Sequence, residues 1–198
     1  MNSKYQTIIK WIEPDTHVLD LGCSSGELLS QLISNKNISG YGLELDKNKI
    51  VAAIGAGINV IDYDLNQGLA QFSDNSFDYA LLTETLQAIA QPDLLVDEML
   101  RIASSAIITF PNFNYYSHLY QLLVKRRMPV SRHIPHTWYN SPNVHLCTMG
   151  DFEDLCKQKN WHIHKRDVLG YNNSPASWLA RLLPVFFAPT AMYQICKK

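Results

Sequence analysis

The sequence lacks an excess of basic charge. Its 17 Lys and Arg face 18 Asp and Glu, for a net charge of −1, whereas a nucleic-acid partner is normally met by a basic patch or stripe. No nucleic acid is expected. An uninterrupted apolar run is also missing. The most apolar stretch, Trp178–Cys196, is broken by Arg181, Pro184 and Pro189 and falls short of the roughly 20 apolar residues of a spanning helix. The opening residues, MNSKYQTIIKWIEPD, place charges and a proline where a signal peptide needs an apolar core. A soluble, cytoplasmic protein without membrane association is expected. Cysteines are few, and Cys23, Cys147, Cys156 and Cys196 show no CxxC spacing. That argues against a zinc ribbon or a disulfide scaffold and fits a reducing compartment. Internal repeats and low-complexity segments are lacking too.

What the sequence does have is alternation. Strand-like runs at His17–Leu21, Ser39–Leu45, Asn59–Ile61, Phe77–Leu82 and Ala106–Phe110 are separated by amphipathic stretches at Glu27–Ser34, Lys47–Ala56 and Asp93–Ala103. Pro92 suits a first helical turn, and Leu95, Met99 and Ile102 follow at helical spacing. Such alternation predicts an α/β fold, a Rossmann-like parallel sheet with helices on both faces. The rhythm breaks over Asn112–Pro142 and resumes at TMGDFEDLCKQK, where Thr148 and Asp151 have capping-box spacing. Late strands are expected at Trp161–Val168 and Thr190–Cys196. The organisation reads as one domain over residues 1–198 with an insertion at about 112–147.

The stretch VLDLGCSSGELL carries the first chemical signal. Asp20 ends a strand, Gly22 and Gly26 flank a turn, and Ser24 and Glu27 have the spacing of a capping box opening the next helix. The GxGxxG dinucleotide fingerprint fits poorly, because Ser24 and Glu27 stand where its later glycines belong. The next strand ends in Glu44, 22 residues after Gly22, a spacing suited to a carboxylate that accepts hydrogen bonds from ribose hydroxyls. Asp64, near the end of the third strand, is placed to meet an adenine amino group.

Together these motifs resemble the class I S-adenosylmethionine (SAM)-dependent methyltransferases. VLDLGCSSG looks like their first motif, with Ser24 at its middle glycine, and SFDYALLTETL looks like their fourth-strand region. TETLQA, VDEMLRIASSAIITFPNF, RRMPVS and WYNSPNVHLCTMGDFEDLC narrow the resemblance to the methionine-biosynthesis protein W (MetW) family, with Glu84 where that family is expected to carry Gln. The resemblance implies a sheet whose last strand is reversed. It also implies SAM or S-adenosylhomocysteine held by Asp20, Gly22, Cys23, Gly26, Glu44, Asp64, Leu65 and Thr83. The function implied is that of an accessory protein in bacterial methionine biosynthesis, partnering a MetX-type homoserine O-acyltransferase and supporting its activity. The alternatives are a SAM-dependent methyltransferase acting on a small molecule, and a relic of the fold that binds only protein.

Equipment for methyl transfer is sparse. Ala88 stands where many small-molecule methyltransferases of this fold carry a His, and FPNF at Phe110–Phe113 falls one strand too late for an amino-methylating signature. Glu84, Tyr115, Tyr116, His118 and His145 are the candidate bases. His133, His136, His145 and Cys147 are ligand types, but Pro135 and Pro142 break any helix that would align them, so no metal is expected. The basic stretch KRRMPVSRH reads as a solvated loop, with part of a docking surface as the alternative the resemblance raises, and WLARLLPVFF reads as a core helix leading into the last strand or, where exposed, as a partner face or the mouth of a pocket.

Overall fold

The computed structural model describes residues 3–197. Residues 1, 2 and 198, included in the expected domain span, lie outside the described residues. The chain runs through α1 (Ser3–Trp11), β1 (His17–Leu21), α2 (Glu27–Lys36), β2 (Ser39–Glu44), α3 (Lys47–Gly55), β3 (Val60–Asp62) and β4 (Phe77–Thr83). It continues through α4 (Pro92–Ile102), β5 (Ala103–Pro111), α5 (Tyr116–Leu123), α6 (Met149–Gln158), β6 (Trp161–Leu169), α7 (Trp178–Leu182), α8 (Pro184–Phe187) and β7 (Thr190–Lys197). The seven strands form one sheet in the order β3-β2-β1-β4-β5-β7-β6. Strands β1 to β5 are parallel, and β7 runs antiparallel between β5 and β6. This is the expected Rossmann-like fold with its reversed last strand.

Side-chain alternation along each central strand feeds two hydrophobic layers. Val18, Leu81, Ile107 and Met192 pack with Ile8 of α1, Ile12 just after it, and Leu28 and Leu32 of α2. Leu19, Leu21, Leu82 and Ile108 face Val96 and Met99 of α4 and Phe152 of α6. The reversed strand is locked by aromatics: the Phe110 and Tyr193 rings stack at 5.9 Å and Phe152 lies 4.8 Å from Tyr193. The Tyr193 hydroxyl donates to Glu153 Oε1 at 2.8 Å. Pro92 opens α4, and Thr148 with Asp151 forms the expected capping box at α6.

Two sequence expectations change. The region without clean period contains α5, whose buried His118 bonds Ser131 Oγ through Nε2 at 2.9 Å, while Ser131 Oγ also accepts the Ile134 amide. WLARLLPVFF is not a core helix. Pro184 cannot donate to the preceding turn, so the segment splits into α7 and α8. Ala180 is buried, but Trp178, Leu182 and Phe186 are 72%, 67% and 47% exposed.

Candidate functional site

The β1–α2 turn takes its shape from three left-handed residues, Gly22, Ser24 and Gly26, at φ 77°, 52° and 75°. Glycine adopts this region freely, but a non-glycine residue is strained there by about 1–2 kcal/mol. The Ser24 amide recovers part of that cost by donating to Glu44 Oε2 at 2.9 Å. Ser24 therefore holds a backbone conformation that glycine adopts freely. The expected capping box does not form, because Ser24 is left-handed and Gly26 occupies the N-cap of α2 without a side-chain bond. At Gly22 a β-carbon would lie 2.7 Å from Thr85 Oγ1. The sequence reading missed Thr85, a cleft residue pressed against that turn.

Glu44 ends β2 and is pinned from both sides. Its Oε2 takes the Ser24 amide, and its Oε1 takes the amides of Leu45 and Asp46 at 2.9 and 3.0 Å. Asp64 is the N-cap of a short turn of helix over Leu65–Gln67, accepting the Asn66 amide through Oδ1 at 2.9 Å. Both carboxylates line a cleft of about 570 Å³ at the carboxyl ends of the parallel strands, the position at which open α/β sheets bind ligands. Of the named site residues, Gly22, Glu44, Asp64 and Leu65 line the cleft. Thr83 ends β4, and its carbonyl accepts the Thr85 hydroxyl at 3.1 Å. Gly26 turns into α2. Cys23 is buried facing Gly42, whose β-carbon would come within 2.3 Å of its sulfur. Burial pushes the Cys23 thiol up to about 12.

Asp20 lies beneath the turn. Alternation along β1 sends it to the face covered by α1, where it is 1% exposed and its Oδ1 has no hydrogen-bond partner among the described residues. Burial raises its pKa to about 7, with Lys4 opposing the shift and Glu44 adding to it. Buried Lys4 itself pairs with Glu84 Oε1 at 3.2 Å. A raised carboxyl pKa stabilises the fold below the ordinary carboxylate range, and that contribution is lost as pH rises through about 7. Asp20→Asn should remove this dependence. Relative to the parent, the variant should gain on the order of 3 kcal/mol between pH 4 and pH 8 in urea unfolding. Parallel pH profiles would show that Asp20 is not the titrating group.

Of the five candidate bases, Glu84 lines the cleft. His118 is committed to Ser131, His145 Nε2 bonds the Ala90 carbonyl at 3.2 Å, and Tyr115 and Tyr116 pack edge to face at 4.6 Å. Among the described residues, no three metal-ligating side chains converge on a common point.

A SAM-type ligand fits this donor set. The pinned Glu44 carboxylate suits ribose hydroxyls and Asp64 suits an exocyclic amine, while the orphaned Asp20 oxygen lies buried beneath the turn, outside the cleft lining.

Residues 2–195 match the family model described as "Methionine biosynthesis protein MetW". The bifunctional methionine biosynthesis protein MetXA/MetW of Rhodopirellula baltica is 37% identical over 192 residues, covering 88% of this chain and 31% of that protein. The chain thus spans less than a third of that relative's length. A SAM-dependent methyltransferase from Archaeoglobus fulgidus superposes with a TM-score of 0.71 at 15% identity, covering 100% of this chain and 92% of that one. The [4+2]-cyclase SpnF gives 0.69 at 14% identity, covering 98% and 81%. These two similarities concern the fold.

Proposed function

This chain belongs to the methionine biosynthesis protein MetW family, and on that premise we propose that it is a SAM-binding accessory protein. Its partner is a MetX-type homoserine O-acyltransferase, whose activity it supports. The observation that carries the partnership is the relative in which MetXA and MetW name one chain. Fusion holds two modules at high effective concentration, which favours modules that act together. Trp178, Leu182 and Phe186, large apolar side chains exposed on the short helices α7 and α8, support the reading, since exposed apolar side chains suit an interaction face.

The cofactor half of the proposal assigns the ribose to Glu44 and the adenine amine to Asp64, with Asp20 supporting the β1–α2 turn from beneath. When bound, SAM supplies a methyl group activated on a sulfonium. Ala88 presents a methyl, not an imidazole, to the cleft, which favours binding over methyl transfer.

The test is the homoserine acylation rate of the cognate acyltransferase with and without an equimolar amount of this protein. We expect a rise of at least about tenfold, lost in the Leu182→Asp, Phe186→Asp double variant, as burying an unpaired charge at an interface costs several kcal/mol. An unchanged rate at saturating protein would sink the partnership. A rise that survives the double variant would move the docking face elsewhere.

A further inference from the structure

Charge is unevenly distributed along this chain. Residues 102–150 carry Lys125, Arg126, Arg127 and Arg132 but no Asp or Glu. Residues 168–198 carry Arg181, Lys197 and Lys198 and again no acid, so all 18 acidic residues lie in the rest of the chain. The fold joins these two acid-free segments. Buried Asn112, just past β5, donates through Nδ2 to the carbonyls of Val185 and Ala188 at 2.8 and 2.9 Å. Its amide donates to the Pro189 carbonyl at 2.8 Å. The Tyr116 ring of α5 lies 5.8 Å from the Phe187 ring of α8. A buried amide and a ring contact thus hold α5 and α8 as neighbours.

The helix α5 is apolar on more than one side. Only His118 of YSHLYQLL is fully buried, and Tyr116, Tyr120 and Leu123 stand exposed at the helical spacing i, i+4 and i+7. A helix apolar all round is normally covered all round. Immediately beyond it Lys125, Arg126 and Arg127 are exposed, with Lys125 Nζ 5.8 Å from the Tyr120 ring centroid. Among the described residues, no ion pair involves these three cations. An exposed apolar stripe that ends in unneutralised basic charge is complemented by an apolar patch with an acidic rim.

We infer that α5, the basic segment at residues 125–127 and the α7–α8 pair form one docking face, and that an apolar, acid-rimmed surface of the acyltransferase covers it. The inference rests on the proposed partnership. It adds the α5 half of the face and the charge of the surface that meets it. A second copy of this chain placed face to face would set the same cations against each other, which disfavours a symmetric pairing.

Association of the full chain with the cognate acyltransferase, followed by biolayer interferometry between about 50 and 500 mM NaCl, tests the inference. The association rate constant should fall at least about tenfold over that range, because salt screens exposed charge. Arg126→Glu with Arg127→Glu should slow association at least about tenfold at the lower salt and less than about twofold at the higher, with dissociation nearly unchanged. The same charge change on α1 and α2, Lys10→Glu with Lys36→Glu, should slow it less than about threefold. Tyr120→Ser with Leu123→Ser removes the stripe and should quicken dissociation at least about tenfold at either salt. Tyr120, Leu123, Arg126 and Arg127 are all exposed, so folding is not at stake. Association indifferent to salt and to the Arg126 and Arg127 reversals would overturn the inference and leave the partnership standing. No association at any salt would bring down the partnership, and this face with it. Tighter binding of polyuridine or phosphatidylserine vesicles than of the acyltransferase, lost in the charge-reversed variant, would give the face to a polyanion and overturn the inference.

Discussion

Glu44→Ala should weaken S-adenosylhomocysteine binding by at least about a hundredfold, the sum of two effects at one side chain. The first is direct. A carboxylate accepting two ribose hydroxyls contributes charge-assisted hydrogen bonds, each worth about 1.5–3 kcal/mol. The second is architectural. Glu44 accepts the Ser24, Leu45 and Asp46 amides, so alanine also releases the strained β1–α2 turn that the cofactor must line. Glu44→Gln separates the two effects. Its amide oxygen can still accept on one side, but its NH₂ group faces a backbone donor on the other, so an intermediate loss is expected. Titration calorimetry on all three proteins reads the series. If Glu44→Ala keeps affinity within about threefold of the parent, the ribose does not lie on β2 and the cofactor assignment is wrong.

Gly40→Ala should be the most destabilising of the small substitutions in the sheet. A β-carbon at Gly40 would stand 1.9 Å from the Val18 carbonyl oxygen, a backbone atom with no rotamer to change. Gly40 pairs with Val18 in the parallel β1–β2 ladder, so the methyl can be accommodated only by prising the two strands apart. That sacrifices ladder hydrogen bonds at about 1 kcal/mol each and the packing of the buried strand ends. A loss of more than about 3 kcal/mol is expected, with a matching drop in the urea midpoint. Because β2 carries Glu44 to the cleft, cofactor affinity should fall with stability. Gly57→Ala is the control: nothing lies within 4 Å of its β-carbon, and its φ of 78° limits the cost to backbone strain of about 1–2 kcal/mol. Equal midpoints for Gly40→Ala and the parent would contradict the close approach of β1 and β2.

Much of the frame was legible in the sequence because its signals are local. Alternating apolar runs marked the strands, Pro92 and the Thr148–Asp151 pair marked helix starts, and the spacing from Gly22 to Glu44 marked the two carboxyl-end positions that meet at the cleft. Each depends on periodicity or capping within a few residues, or on two consecutive parallel strands ending side by side. Local spacing also misled. Ser24 and Glu27 have the letters of a capping box, but the left-handed turn required between β1 and α2 leaves Gly26 at the cap.

The amino-acid sequence by itself determined the order of elements, the reversal of the last strand through family resemblance, and the β1–β2 part of the cleft. Tertiary structure alone decided the rest. It buried Asp20 under α1 and paired Lys4 with Glu84 across 80 residues of chain. It exposed Trp178 and Phe186, which hydropathy assigns to a core, because Pro184 splits the helix that would have buried them. It also brought Arg132, His133 and Asn173 to the cleft that Gln87 lines. The physical reason is common to all three. Burial, ion pairing and pocket walls depend on where distant loops close, and loop closure leaves no period in the sequence for a local reading to detect.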